Sequence, residues 1–198
     1  MFIYRNMNII KNYKENLIKA ITSIDDEKIL KIQNKLIKSI RNNKTIFKCG
    51  NGGAASVSNH LLCDFNKGIK ISSKYKLKPK IISLSSNIEI ITAISNDLNY
   101  DRVFEFQLDN YAKKNDILLT FSCSGTSKNI IKAINYAKSK KLYVISFTGF
   151  APTKIERLTH LNLNVRIKNY GICEDIFQIL MHMISQNIRK KFIDKKNY

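Results

Sequence analysis

Residues 45–68 read Thr-Ile-Phe-Lys-Cys-Gly-Asn-Gly-Gly-Ala-Ala-Ser-Val-Ser-Asn-His-Leu-Leu-Cys-Asp-Phe-Asn-Lys-Gly. The apolar pair Ile46-Phe47 runs into Gly50-Asn51-Gly52-Gly53, and small and apolar residues follow. That order predicts a strand, a glycine turn and a buried helix. The glycines let a ligand approach the backbone closely, and the helix that follows adds the positive end of its dipole, so an anion is the natural guest. His60 and Asp64 then fall one turn apart on one face of that helix, a spacing that suits a metal or a proton-transfer pair. Taken alone, the glycine run is as often a plain tight turn, and a lone histidine on an apolar helix is more often a satisfied core residue.

Upstream, residues 5–22 place Ile9, Ile10, Tyr13, Leu17, Ile18 and Ile21 at three- and four-residue spacing, which predicts an amphipathic helix. A second begins near Asp25-Asp26, where acids suit a helix start, and carries Ile29, Leu30, Ile32, Leu36, Ile37 and Ile40. Both apolar faces are wide enough to pack on a sheet and on another subunit. Downstream, 79–84 reads as a strand, 87–95 as a short helix and 103–113 as another. Asp116 to Phe121 is apolar on both faces, as a central parallel strand should be. It ends in Ser122-Cys123-Ser124-Gly125-Thr126-Ser127, with a helix expected over 128–140. Residues 142–147 repeat the strand pattern. Strict alternation over 161–167 predicts an edge strand with one wet face, and a long helix from about Cys173 to Phe192 follows.

Strands alternating with helices across short turns predict an α/β fold, a three-layer sandwich around a mainly parallel five-stranded sheet with two leading helices. Nothing divides the chain: one domain is expected over 1–198, with leading helices in 1–43, the sheet core in 44–170 and the C-terminal helix in 171–195. A hydrophobic fraction of 44% and a charged fraction of 25% argue against disorder.

Lys+Arg 34 against Asp+Glu 15 gives a net charge of +19, which raises nucleic acid, anionic membranes and anionic substrates as partners. The lysines are scattered, not gathered into a stripe interleaved with aromatics, and the chain is rich in Lys, Asn and Ile together, as an AT-rich coding sequence produces. Solvated faces are the expectation, and nucleic acid is not. Cys49, Cys63, Cys123 and Cys173 show neither a disulfide spacing nor a Cys-x-x-Cys knuckle, which predicts a reducing cytoplasm. Met1-Phe2-Ile3-Tyr4 is too short for a signal-peptide core and no apolar run approaches ~20 residues, so no membrane span is expected.

In open α/β sheets, ligands bind beyond the C-terminal ends of the strands. The hydroxyls of Ser122, Ser124, Thr126 and Ser127, together with N–H groups at a helix start, suit a phosphate; the alternative is an ordinary capping turn. On the last helix Glu174, Gln178 and His182 are spaced by four and form one polar stripe among apolar neighbours. They make an interface hydrogen-bond set, or, with His60 and Asp64, complete two imidazoles and two carboxylates able to hold Zn²⁺ or a similar divalent ion.

Gly50-Asn51-Gly52-Gly53 with His60, the Ser122 to Asn129 turn, Ser95-Asn96-Asp97, Phe147-Thr148-Gly149 and the Glu174 to His182 stripe together resemble the sugar isomerase (SIS) domain, specifically the phosphoheptose isomerases, from the leading helices to about residue 190. The resemblance implies a flavodoxin-like sheet, a homotetramer with sites shared between subunits, and one zinc per site. It implies isomerisation of sedoheptulose 7-phosphate to D-glycero-D-manno-heptose 7-phosphate on the way to lipopolysaccharide or capsule heptoses. Asn51, Gly52, Gly53, Asn96 and Asp97 would contact the sugar, with Asp64 and Glu174 beside them. Ser122, Cys123, Ser124 and Ser127 would hold the phosphate, Cys123 through its backbone. His60, Asp64, Glu174 and His182 match the metal positions.

The reaction moves a proton between C1 and C2 through an enediol, which needs a base, an electrophile at the carbonyl and exclusion of water. Asp64 is expected as base, His182 as its acid/base partner on the oxygens, and the metal as electrophile. The chain departs from the family pattern in carrying Asp64 for Glu, Glu174 for Gln and Ala54 for Ser. Aspartate reaches about 1.5 Å less far, and the added charge at Glu174 would tighten metal binding or take over as base. The main rival reading is a non-catalytic SIS scaffold, one type of which binds the bacterial replication initiator. The presence of His182 favours the enzyme. A further rival is an isomerase of another ketose phosphate.

Overall fold

The computed structural model describes the backbone of residues 2–192 and the side chains of residues 8–192. The expected start at Met1 and the helix end at 193–195 lie outside the described residues. Helix α1 spans Phe2–Thr22 and α2 spans Asp26–Arg41; the Asp25 carboxylate caps α2 by accepting the Glu27 N–H at 2.9 Å, and Asp26 and Glu27 fill its first turn. Strand β1 is Thr45–Gly50 and α3 is Gly53–Leu62. The same helical run continues as a π-helix over Cys63–Ile69 and a single α turn, α4, over Lys70–Ser72. Then come β2 (Lys80–Ser83), α5 (Ile88–Asp97), a 3₁₀ turn (Tyr100–Arg102), α6 (Val103–Tyr111), β3 (Ile117–Ser122), α7 (Lys128–Ser139), β4 (Tyr143–Thr148), a second 3₁₀ turn (Ile155–Arg157), β5 (Leu161–Asn164) and α8 (Tyr170–Lys190).

The five strands lie in the order β2-β1-β3-β4-β5, and every neighbouring pair is parallel. This is the doubly wound order, and its connections reverse direction between β1 and β3, which opens a crevice at their C-terminal ends. Adjacent residues on β1 face opposite layers. Ile46 enters a core with α1, α2, α3 and α8, whereas Phe47 enters one with α5, α6 and α7. All six residues of β3 are buried, as its doubly apolar sequence requires. Phe121 stacks on Phe147 with ring centroids 5.2 Å apart, and Phe177 of α8 meets Phe121 at 5.9 Å. Each such ring contributes about 1.5–3 kcal/mol on burial.

Three expectations change in detail. Strand β5 is shorter than 161–167 and lies at the sheet edge, but its polar face is not wet: Asn162 Nδ2 donates to Ser146 Oγ at 2.8 Å and to Thr148 Oγ1 at 3.1 Å. Helix α6 stops at Tyr111, because Ala112 is already extended. The apolar face of α1 is used only at its C-terminal end, where Ala20, Leu17 and Ile21 pack on the core; Ile9, Ile10 and Ile18 remain 62%, 57% and 61% exposed. Among the described residues no helix is long and apolar enough to cross a membrane.

Candidate active site

The turn after β1 is built by glycine for two separate reasons. Gly52 has φ +55°, and a Cβ on Gly53 would lie 2.1 Å from Glu174 Oε2, so any side chain there would push the Glu174 carboxylate aside. The Glu174 carboxylate of α8 thus sits on the first turn of α3 and accepts the Ala54 N–H. Burial pushes the Glu174 carboxyl above the usual carboxylate range, and the Ala54 N–H works against that shift. Gly50 is pinned to the turn after β2: its N–H donates to Ser85 Oγ at 3.1 Å, and Ser85 Oγ donates to its carbonyl at 2.8 Å.

Asn51 heads a network that crosses the crevice. Its amide pairs reciprocally with that of Asn129, each Nδ2 donating to the other's Oδ1 at 2.9 Å, and Tyr100 Oη donates to Asn51 Oδ1 at 2.9 Å. Tyr100 does not stand out in the sequence, and Asn129 enters it only as the last residue of the Ser122 to Asn129 turn, since the role of each shows only when turns far apart in the chain are brought together. Asn96 and Asp97, the expected sugar contacts at the end of α5, are exposed and hydrogen-bond to each other at 3.0 Å.

Beyond β3, Ser122 Oγ accepts the Gly125 N–H at 3.2 Å, and Ser124 Oγ accepts from Thr126 Oγ1 at 3.1 Å. Cys123 uses its carbonyl inside the fold, accepting the N–H groups of Gly149 and Phe150 at 3.0 and 2.8 Å. Its thiol is held well above the usual range by the hydrogen bond with Cys173 and by burial. Ser127 occupies the N-cap of α7 yet makes no side-chain capping bond, so its hydroxyl and the helix start remain available to an anion.

At the far end of α3, His60, Asp64 and His182 come together, each offering a ligand atom within 4.8 Å of the others. His60 Nε2 lies 2.9 Å from His182 Nε2, and Asp64 Oδ2 lies 3.6 Å from the same nitrogen. Gln178 Nε2 lies 2.9 Å from it too. Where the Gln178 amide N–H donates to it, His182 Nε2 is the lone-pair nitrogen and the ring proton sits on Nδ1; where Nε2 carries the proton, it faces Asp64 Oδ2. Two imidazole nitrogens and a carboxylate oxygen converging in this way fit a divalent ion such as zinc, whose ligands at about 2.0–2.2 Å stand about 3.4 Å from one another. Ser185, three residues beyond His182, donates to Asp64 Oδ2 at 3.3 Å; the stripe's step of four leads to Gln186, and only a step of three along the same face reaches Ser185. Asp64 lies in the first turn of the π-helical stretch, and π insertions recur at functional sites.

Glu174 does not join this group within one chain. It stands eight residues before His182, about 12 Å along the helix axis, so the two ends of the stripe serve the two ends of α3. Beneath the seam between α3 and α8 lies Lys48 of β1, 1% exposed, its Nζ without a hydrogen-bond partner. It borders a cavity of about 10 Å³ lined by Leu61, Phe65 and Met181 among others, room for one water at most. Burial lowers the Lys48 ammonium to about 7, and the charge of Asp64 holds it from falling further.

Known proteins share this fold. Residues 11–149 match the model of the SIS domain. The phosphoheptose isomerase of Helicobacter pylori is 31% identical over 195 residues, which cover 95% of this chain and 98% of that protein. The probable phosphoheptose isomerase of Thermoplasma acidophilum is 32% identical over 182 residues, covering 92% and 98%. Among solved structures, the phosphoheptose isomerase from Neisseria gonorrhoeae superposes with a TM-score of 0.83 at 23% identity, over 96% of this chain and 100% of that one. The one from Francisella tularensis gives 0.82 at 19% identity, over 96% and 99%. The chain therefore belongs to the SIS domain family and, within it, to the phosphoheptose isomerases.

Proposed function

We infer that this isomerase interconverts sedoheptulose 7-phosphate and D-glycero-D-manno-heptose 7-phosphate, supplying heptose for a lipopolysaccharide or capsule. The observation that carries the reading is the convergence of His60, Asp64 and His182 at the end of the helix whose start forms the glycine turn. Two imidazoles held beside a carboxylate suit proton transfer at a polarised carbonyl.

The serine turn binds the phosphate through Ser122, Ser124 and Ser127, the backbone of Cys123 and the free start of α7. Asn51, Gly52, Gly53 and the Asn96-Asp97 turn line the path of the sugar, with Glu174 beside them. His60, Asp64 and His182 are the residues of this chain that would hold zinc, which would polarise the substrate carbonyl, and Glu174, held at the other end of α3, would join them only from a neighbouring subunit. Asp64 takes the C1 proton of the ketose and returns it to C2. His182 moves the hydroxyl proton between O1 and O2 so that the enediol stays neutral. Ser185 orients the Asp64 carboxylate for this transfer.

The exposed apolar face of α1 supports a homotetramer with sites at its subunit interfaces. The four unpaired cysteines support a cytoplasmic setting, with the whole chain acting as one SIS domain. The test is turnover of sedoheptulose 7-phosphate by purified protein with and without zinc, beside a His182→Ala control. Turnover that the control lacks is expected. Wild-type protein that binds phosphosugars but isomerises none of them overturns the reading in favour of a scaffold.

A further inference from the structure

Asn51 sits where a sugar must pass, yet its amide is committed before any ligand arrives. Its Oδ1 accepts from both Tyr100 Oη and Asn129 Nδ2, and its Nδ2 donates to Asn129 Oδ1, all at 2.9 Å. An amide oxygen has two lone pairs, so Asn51 has no acceptor left and a single N–H to offer. Asn129 cannot swing away: it is 2% exposed, and its Oδ1 also accepts the N–H of Ile130 at 2.9 Å. A sugar hydroxyl seeking an acceptor in this part of the crevice must find it elsewhere.

Tyr100 is placed to supply it. Its side chain is 51% exposed, its only proton is spent on Asn51 Oδ1, and its oxygen keeps acceptor capacity in a fixed direction. The geometry points to Tyr100 as a substrate-reading residue whose phenolic oxygen accepts a hydrogen bond from a hydroxyl of the polyol chain of a phosphorylated ketose. The remaining Asn51 N–H lies alongside, so the two together match a hydroxyl group, which both donates and accepts. The assignment rests on the function proposed above and adds a specificity determinant to it. Removing one such contact from a site built around it costs about tenfold in affinity.

Tyr100→Phe keeps the ring and removes only the oxygen from an exposed position, so the variant is expected to melt with the parent protein. Calorimetric titration with sedoheptulose 7-phosphate and, separately, with inorganic phosphate is compared for the two proteins, together with kcat and KM. The expected result is a dissociation constant for the phosphosugar raised about tenfold, an unchanged one for inorganic phosphate, and a KM that rises more than kcat falls. Unchanged phosphosugar affinity overturns the assignment, and so does an equal loss for both ligands, which would mark a general loosening. Wild-type protein that binds the phosphosugar without turning it over defeats the isomerase reading alone, since the binding comparison still decides on Tyr100. Wild-type protein that does not bind it defeats both.

Discussion

The two ends of α3 are built on opposite plans. At its N-terminal end Asn51, Asn129 and Tyr100 close a network in which each amide and hydroxyl proton that bridges the turns has an acceptor at 2.9 Å. At its C-terminal end the polar groups compete. His182 Nε2 is approached by the nitrogens of both His60 and Gln178 at 2.9 Å, and the buried ammonium of Lys48 beneath has no hydrogen-bond partner. A satisfied network holds its shape without a ligand, which suits recognition. A seam with lone pairs to spare costs stability, which proteins accept where chemistry is to be done.

Breaking the seam should therefore cost activity far more than binding. His182→Ala is expected to lower kcat on sedoheptulose 7-phosphate by about 10³–10⁴-fold while inorganic phosphate binds as before. Steady-state kinetics beside a phosphate titration check this. Equal losses in both would mean that the two ends are not separate in function.

Lys48 sharpens the comparison through stability. Its folded value of about 7 lies below the usual 10.5, so between those two pH values the unfolded chain binds more protons. The penalty of the buried charge is full below pH 7, declines as pH rises through that window and is gone above it. Lys48→Met is expected to stabilise the fold by on the order of 4 kcal/mol at pH 6 and by much less near pH 10. Urea unfolding at the two pH values measures it, and an equal gain at both would contradict a buried charge.

The smallest effect belongs to the recognition end. Ser127→Ala should weaken inorganic phosphate by about threefold to tenfold, with almost no change in melting temperature. An ordinary N-cap serine would instead cost about 1 kcal/mol of stability. A lowered melting temperature with unchanged phosphate affinity would return Ser127 to a capping role.

Periodicity carried most of the fold. The doubly apolar run at Ile117–Ser122 and the strand–glycine–helix order at 45–68 suffice for a parallel sheet, because a strand covered on both faces leaves few alternatives. His60, Asp64 and His182 were legible too, since four-residue spacing on a helix is a statement about space. What stayed hidden depends on tertiary placement or on a local exception. Tyr100 reaches Asn51 across 49 residues, and no window on the sequence spans that. Lys48 reads as a solvated lysine until β1 is seen to be central. The π-helix at Cys63–Ile69 is too short to show a period of its own. Glu174 shares a stripe with His182 but not a position in space, because rise along the helix separates what angular spacing aligns.

The most direct test of the central claim, enediol proton transfer through Asp64, is turnover of sedoheptulose 7-phosphate in D₂O, with wild type, Asp64→Asn and Glu174→Gln compared by NMR of the aldose product. Because the proton held by Asp64 exchanges with solvent at the enediol stage, the account predicts deuterium at C2 of the product from the wild type and from Glu174→Gln, and neither turnover nor label from Asp64→Asn. Turnover and label that survive in Asp64→Asn but vanish in Glu174→Gln would contradict it and move the base to the other end of α3.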